Sequence, residues 1–278
     1  MKIAYISADI EGVTGVVSPA QTVLQGFEFE RARHWMTAEV KAVCEGALAA
    51  GADACIVSDS HGNGQNLLLE SLPRATQVVR AWPRPLGMMQ GVESSGVFGA
   101  ALIGYHTSAR SAHGVLAHSF SGRTVAGLAI NGVEASESTV SAAIAGAFGV
   151  PVLLASGDAD YGNHIRDLLG DDLPTVITKV AHGRYSATCR HPDEVLDELR
   201  STSEMAFSQP DRSVYEIELP ASVELCFQRH APAELLAYLE CFERVDGTTV
   251  RFTADSVPAL AKTLFFATHV GVDEQIPS

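Results

Sequence analysis

Short apolar runs alternate along the chain with longer segments of helical periodicity. The runs KIAYISAD (2–9), DACIVSD (53–59), FGAALIGYH (98–106), GVLAHS (114–119), VAGLAI (125–130) and PVLLAS (151–156) predict strands. Between the first two, Trp35, Val40, Val43 and Leu48 recur at near-helical spacing and Gly51 supplies a stop. VEASESTVSAAIAGAFG predicts a second helix, ended by Gly149 and Pro151. HPDEVLDELRSTSEMAF predicts a third, with Pro192 in the first turn and Val195, Leu196 and Leu199 on its apolar face. The rhythm is that of an α/β fold, a mainly parallel or mixed sheet flanked by helices.

After SQPDRS the character changes. VYEIELP and VELCFQRH alternate like half-exposed strands, APAELLAYLECFERV reads as helix, DG as a turn and TTVRFTA as strand, and a last helix is expected from Ser256 to about Val270. The expected organisation is an α/β metal-binding catalytic domain over residues 1–207 and a smaller α+β module over 208–278, available for oligomer contacts.

Composition narrows the partners. The 278 residues are 46% hydrophobic, enough for a large core, and carry a net charge of −14, which disfavours nucleic acid and anionic lipid. Only six uncharged residues separate Lys2 from Asp9, too short an apolar stretch for a signal peptide, and no window approaches the roughly 18 apolar residues of a membrane helix. A cytoplasmic location is expected. The five cysteines are widely spaced and contain no CxxC, so they signal neither a disulfide framework nor a thiolate zinc site.

Candidate chemistry gathers where apolar runs end, because open α/β sheets work beyond the carboxyl ends of their strands. Asp9 and Glu11 follow the first run; continued extended backbone would set both on one face roughly 7 Å apart. His61 follows the second run, His106 ends the third, His118 sits in GVLAHS, and Glu137 opens a helix. Singly, each has an ordinary reading: a turn cap, a surface imidazole, a buried histidine on a backbone carbonyl, an acid at a helix dipole. Asn66 suits a turn cap or a substrate contact, and Asp158 a helix cap or an anchor for a substrate amine. Together the carboxylates and imidazoles form an oxygen- and nitrogen-rich set suited to zinc or a similar divalent ion.

SADIEG, DSHGNGQNL, GYH, GVLAHS and INGVEASE, in that order, resemble the zinc D-aminopeptidases of the dipeptide-transport type (DppA-like enzymes), with a looser likeness around GTTVRFTA. The resemblance implies a two-domain α/β subunit, two zinc ions per subunit, and a homo-oligomer, a ring-stacked decamer in relatives. Carried over by motif, the ligands become Asp9, Glu11, His61, His106 and Glu137, and the catalytic histidine becomes His118. The segment TSARSAH, with His113, and the rival Glu134 depart from the pattern.

The expected activity is that of a dinuclear zinc aminopeptidase or amide hydrolase releasing an N-terminal amino acid, D in the family, from a small peptide or amide. The rivals are a metal-dependent amidohydrolase acting on a non-peptide amide and a non-enzymatic peptide-binding protein. A magnesium phosphohydrolase is disfavoured, because such a site wants DxD followed by Thr where this chain reads EGVTG.

Overall fold

Ile3–Ala8 is buried at every position, so it needs neighbours on both edges and both faces: the apolar run can only be a central strand. The computed structural model describes residues 1–269. In chain order the elements are β1 (Ile3–Ala8), α1 (Phe29–Ala49), β2 (Ala54–Asp59), β3 (Thr76–Val79), β4 (Val97–Tyr105), β5 (Val125–Ile130), β6 (Val133–Glu134), α2 (Glu137–Ala147), β7 (Val152–Asp158), α3 (Ala159–Leu169), β8 (Thr175–Gly183), β9 (Ser186–Cys189), α4 (Pro192–Ser208), β10 (Ala221–Phe227), α5 (His230–Leu236), β11 (Glu243–Arg244), β12 (Thr249–Ala254) and α6 (Val257–His269).

One sheet has the order β3-β2-β1-β4-β7-β8-β9 and is parallel except for β9. The other, β11-β12-β10-β5-β6, is antiparallel. Helices α1 and α4 pack on each other and cover one face of the parallel sheet. The other face shares its apolar core with α2, α6 and the antiparallel sheet. The chain runs from β1 outward to β3 and then returns to lay β4 on the opposite side of β1, which makes a topological switch point between β1 and β4. Ala8 pairs with both Asp59 and Ile103, so β1 and β2 end level there and β4 runs on to Tyr105 beside them.

Several expectations change. GVLAHS is a loop: Gly114 and Leu116 have φ of 111° and 55°, and its amides bond singly to three separate partners, Asp158, Arg184 and Thr107. VYEIELP joins no sheet, because β10 already has β12 and β5 on its two edges; Tyr215 and Ile217 instead pack on the core as a strap beside α2. The helix expected over 231–245 stops at Leu236, where Pro232, Ala233 and Leu236 complete its buried face, and the chain turns back to form β11. Of the final helix, Val270 lies outside the described residues. The change of character near residue 208 does not separate the sheets, since the antiparallel sheet takes β5 and β6 from before it.

Candidate metal centre

Asp9 is the first residue beyond β1, and its amide still donates to Ile103 O at 2.8 Å, which ties it to β4. The backbone then turns instead of continuing extended: Val13 N reaches Ile10 O at 3.1 Å and Gly12 N reaches Gly104 O at 2.7 Å. Glu11 therefore joins Asp9 through a turn, not through strand alternation. The crossing needs two glycines. A Cβ on Gly12 would stand 2.1 Å from Tyr105 O, and Gly104, at φ 71°, would push a Cβ to 2.3 Å from Asp9 O. Gly12→Ala is accordingly expected to cost about 3 kcal/mol or more and to displace Glu11, read as a lowered Tm together with weakened binding of divalent metal.

His61 is carried by the loop after β2. Asp59 accepts from Asn66 N and Leu67 N at 2.6 and 2.8 Å, and Asn66 Nδ2 donates to both Asp59 Oδ1 and His61 O. Asn66 thus braces the loop. Tyr105 ends β4 and places His106 directly after it. Glu137 is the first residue of α2, behind the N-cap Ser136, whose Oγ accepts from Thr139 N. Phe120 N donates to Glu137 Oε1 at 2.6 Å.

The five residues meet. His61 Nδ1 lies 3.2 Å from Asp9 Oδ1 and 3.1 Å from Glu11 Oε2. His106 Nε2 lies 3.4 Å from both Asp9 Oδ2 and Glu137 Oε1. Asp9 stands between, one oxygen toward each imidazole. His118 Nε2 approaches Glu137 Oε1 to 3.8 Å, and its ring stacks on His106 with centroids 4.1 Å apart. Two groups able to hold a metal ion result, Asp9–Glu11–His61 and His106–His118–Glu137, each with donor atoms within 4.8 Å of one another.

Each imidazole is also oriented from behind. His61 Nε2 donates to Thr22 O at 2.7 Å, His106 Nδ1 to Thr107 O at 2.9 Å and His118 Nδ1 to Leu116 O at 2.9 Å. When a ring is neutral its single proton serves that bond and the other nitrogen, turned toward the carboxylates, is free for a cation; without one, the neighbouring carboxylates favour a second proton on His61 and His106. Glu11 Oε2 and His106 Nε2 are buried without a hydrogen-bond partner, an expensive arrangement that a cation beside each would relieve. The donor set fits zinc.

The charges are tightly coupled. Burial, and next to it the Glu11 charge, raises Asp9 to about 7. Burial alone would depress His106, but Glu137 and Asp9 outweigh it and hold the ring up at about 10. His61 is likewise raised against its burial, by Glu11 and Asp9. Glu11 and Glu137 are also buried, yet the imidazoles hold both below the ordinary carboxylate range. Of these three imidazoles, His118 alone goes down, through burial and the neighbouring His106.

Other candidates fall elsewhere. Glu134 sits on β6 and accepts a bond from Ser108 Oγ, outside the cluster. Asp158 is buried with both oxygens engaged in the fold, one capping α3 through Tyr161 N at 2.8 Å and the other holding Val115 N at 2.6 Å. His113 is exposed, and its carbonyl accepts from Thr107 and Ser111. Sequence reasoning missed Thr22, whose contribution is a backbone carbonyl with no residue-type signal, and Lys179, whose only trace is a charge inside an apolar strand.

The family model of peptidase family M55, described as D-aminopeptidase, matches residues 1–266. A D-aminopeptidase of Bacillus subtilis (strain 168) is 27% identical over 280 residues, which span 96% of this chain and 97% of the relative. Among solved structures, the Zn-dependent D-aminopeptidase DppA from Bacillus subtilis, described as a self-compartmentalizing protease, superposes with a TM-score of 0.92 at 24% identity, covering 99% of this chain and all of that one.

Proposed function

Because the chain belongs to peptidase family M55, the D-aminopeptidases, we propose that Asp9, Glu11, His61, His106 and Glu137 hold two zinc ions and that the site releases the N-terminal residue of a small D-amino-acid peptide or amide. One observation carries the reading: three imidazoles, each with its far nitrogen bonded to a backbone carbonyl, turn their other nitrogens onto three carboxylates. Bound zinc would polarise the scissile carbonyl and lower the pKa of a water to near neutrality. Asp9 contributes one oxygen to each group. Glu11 and His61 complete one, and Glu137 and His106 the other.

His118 serves as the proton carrier. Its lowered pKa keeps Nε2 unprotonated near pH 7, so it can accept a proton from water and return it to the departing amine, while the bond from Nδ1 to Leu116 O fixes the tautomer that does this. Its place within 4.8 Å of the His106 and Glu137 donor atoms favours a second reading, in which His118 is a ligand itself. Zinc analysis of His118→Ala decides between them.

We extend to this chain the homo-oligomer that encloses its own active sites, a decamer by family pattern. The exposed side chains of Leu24 and Phe27, a few residues from the Thr22 carbonyl that holds His61, give such an assembly apolar surface to cover. Sedimentation of the purified protein tests it. All five cysteines are free thiols, and no helix among the described residues is long and apolar enough to cross a membrane.

A panel of D- and L-aminoacyl dipeptides and amides tests the substrate: release of free D-residues, abolished by chelator and restored by zinc, is expected. Hydrolysis of non-peptide amides alone would support the rival amidohydrolase. Zinc uptake should also release protons. The ligands must bind metal unprotonated, whereas His106, held near 10, and Asp9, held near 7, carry protons at neutral pH. Affinity should therefore rise with pH across 6–8, and titration of zinc into stripped, weakly buffered protein should acidify the solution.

A further inference from the structure

Residues 11–16 form the buried, irregular stretch that delivers Glu11 to the metal centre, and irregular backbone away from water must find partners for its carbonyls. Lys179, on β8, is fully buried and aims its ammonium at this stretch. Nζ donates to Glu11 O at 2.5 Å, Val13 O at 2.7 Å and Val16 O at 2.5 Å. An ammonium has three donors and no acceptor, so these three bonds saturate it. Among the described residues, of the three carbonyls only that of Val13 has another donor, Val16 N at 3.2 Å. The neighbouring Thr178 adds Oγ1 to Gly12 O at 2.5 Å, and Glu39 on α1 accepts from Thr14 N at 2.9 Å.

Building on the zinc reading, we propose that Lys179 is the positioning residue of this loop: its ammonium acts as a built-in cation that gathers the carbonyls of residues 11, 13 and 16 and so holds the Glu11 carboxylate against His61. A charge buried this deeply is costly, and an apolar side chain in the same strand would pack at lower cost. What the lysine adds is a fixed shape for six residues that belong to neither helix nor sheet. It touches the backbone of Glu11, not its carboxylate, so it works on the metal only through that residue.

The test compares Lys179→Met with wild type after both are stripped and titrated with zinc, following zinc affinity, the Tm rise that zinc induces, and the absorption spectrum of the cobalt-loaded forms. The expected result is a roughly 10–100-fold loss of zinc affinity, a smaller zinc-induced rise and an altered cobalt spectrum. A merely structural lysine would lower the Tm of stripped and loaded protein equally; wild-type zinc affinity and cobalt spectrum in Lys179→Met would overturn the proposal. Should Lys179→Met not fold, Lys179→Gln, which keeps two donors on a shorter arm, carries the same test, with weakened zinc binding expected and wild-type affinity overturning it. Wild-type protein that takes up no zinc overturns the metal reading itself, an outcome visible before any variant is made.

Discussion

Asp9→Ala should abolish zinc binding and reduce peptide hydrolysis to background while leaving the fold intact. Asp9 is the one side chain with an oxygen directed at each ligand group, 3.2 Å from His61 Nδ1 and 3.4 Å from His106 Nε2, so its loss takes a donor from both. The fold should tolerate the change. The carboxyl lies in a buried setting where Glu11 already opposes its ionisation, and its one backbone bond is to the adjacent Ile10 N. Asp9→Asn is the sharper control: it keeps shape and hydrogen bonding but lacks the negative charge, and it too should lose zinc. Atomic absorption and circular dichroism on the same samples separate metal loss from unfolding. A folded Asp9→Ala protein with two zinc ions would contradict the assignment.

His118→Ala should behave in the opposite way, retaining zinc and losing activity by about 10²–10⁴-fold, the usual yield of a positioned general acid–base. The reasoning is positional. His106 meets both Asp9 and Glu137 at 3.4 Å, whereas His118 meets only Glu137, at 3.8 Å, and stacks on the face of His106. It is also the one imidazole of the three whose pKa falls. Zinc loss in His118→Ala would instead make it a ligand, and unchanged activity would remove it from the chemistry.

How far these residues could be read from the chain depends on what holds each in place. Asp9, His61 and His106 were legible because buried strands leave an unmistakable apolar run, and each residue stands within two positions of the end of one. Glu137 was legible as the first residue of a helix. The turn that swings Glu11 beside Asp9 was not, because it rests on Gly12 passing against Tyr105 and Gly104, nearly a hundred residues away. GVLAHS misled for the same reason: its apolar residues pack as a strand's would, while its backbone bonds go to Asp158, Arg184 and Thr107. VYEIELP alternates as a strap over a helix alternates, and periodicity cannot tell a strap from a strand when both bury one face. Lys179 looks like a flaw in an apolar strand until the carbonyls it gathers are seen.

The proposed centre rests on five side chains, Asp9, Glu11, His61, His106 and Glu137, surrounding two metal ions. Anomalous diffraction at the zinc edge from crystals of the zinc-loaded protein tests it most directly. Two peaks should appear, one bounded by Asp9, Glu11 and His61 and the other by Asp9, His106 and Glu137. No peak, or peaks only at surface residues away from Asp9, would contradict it.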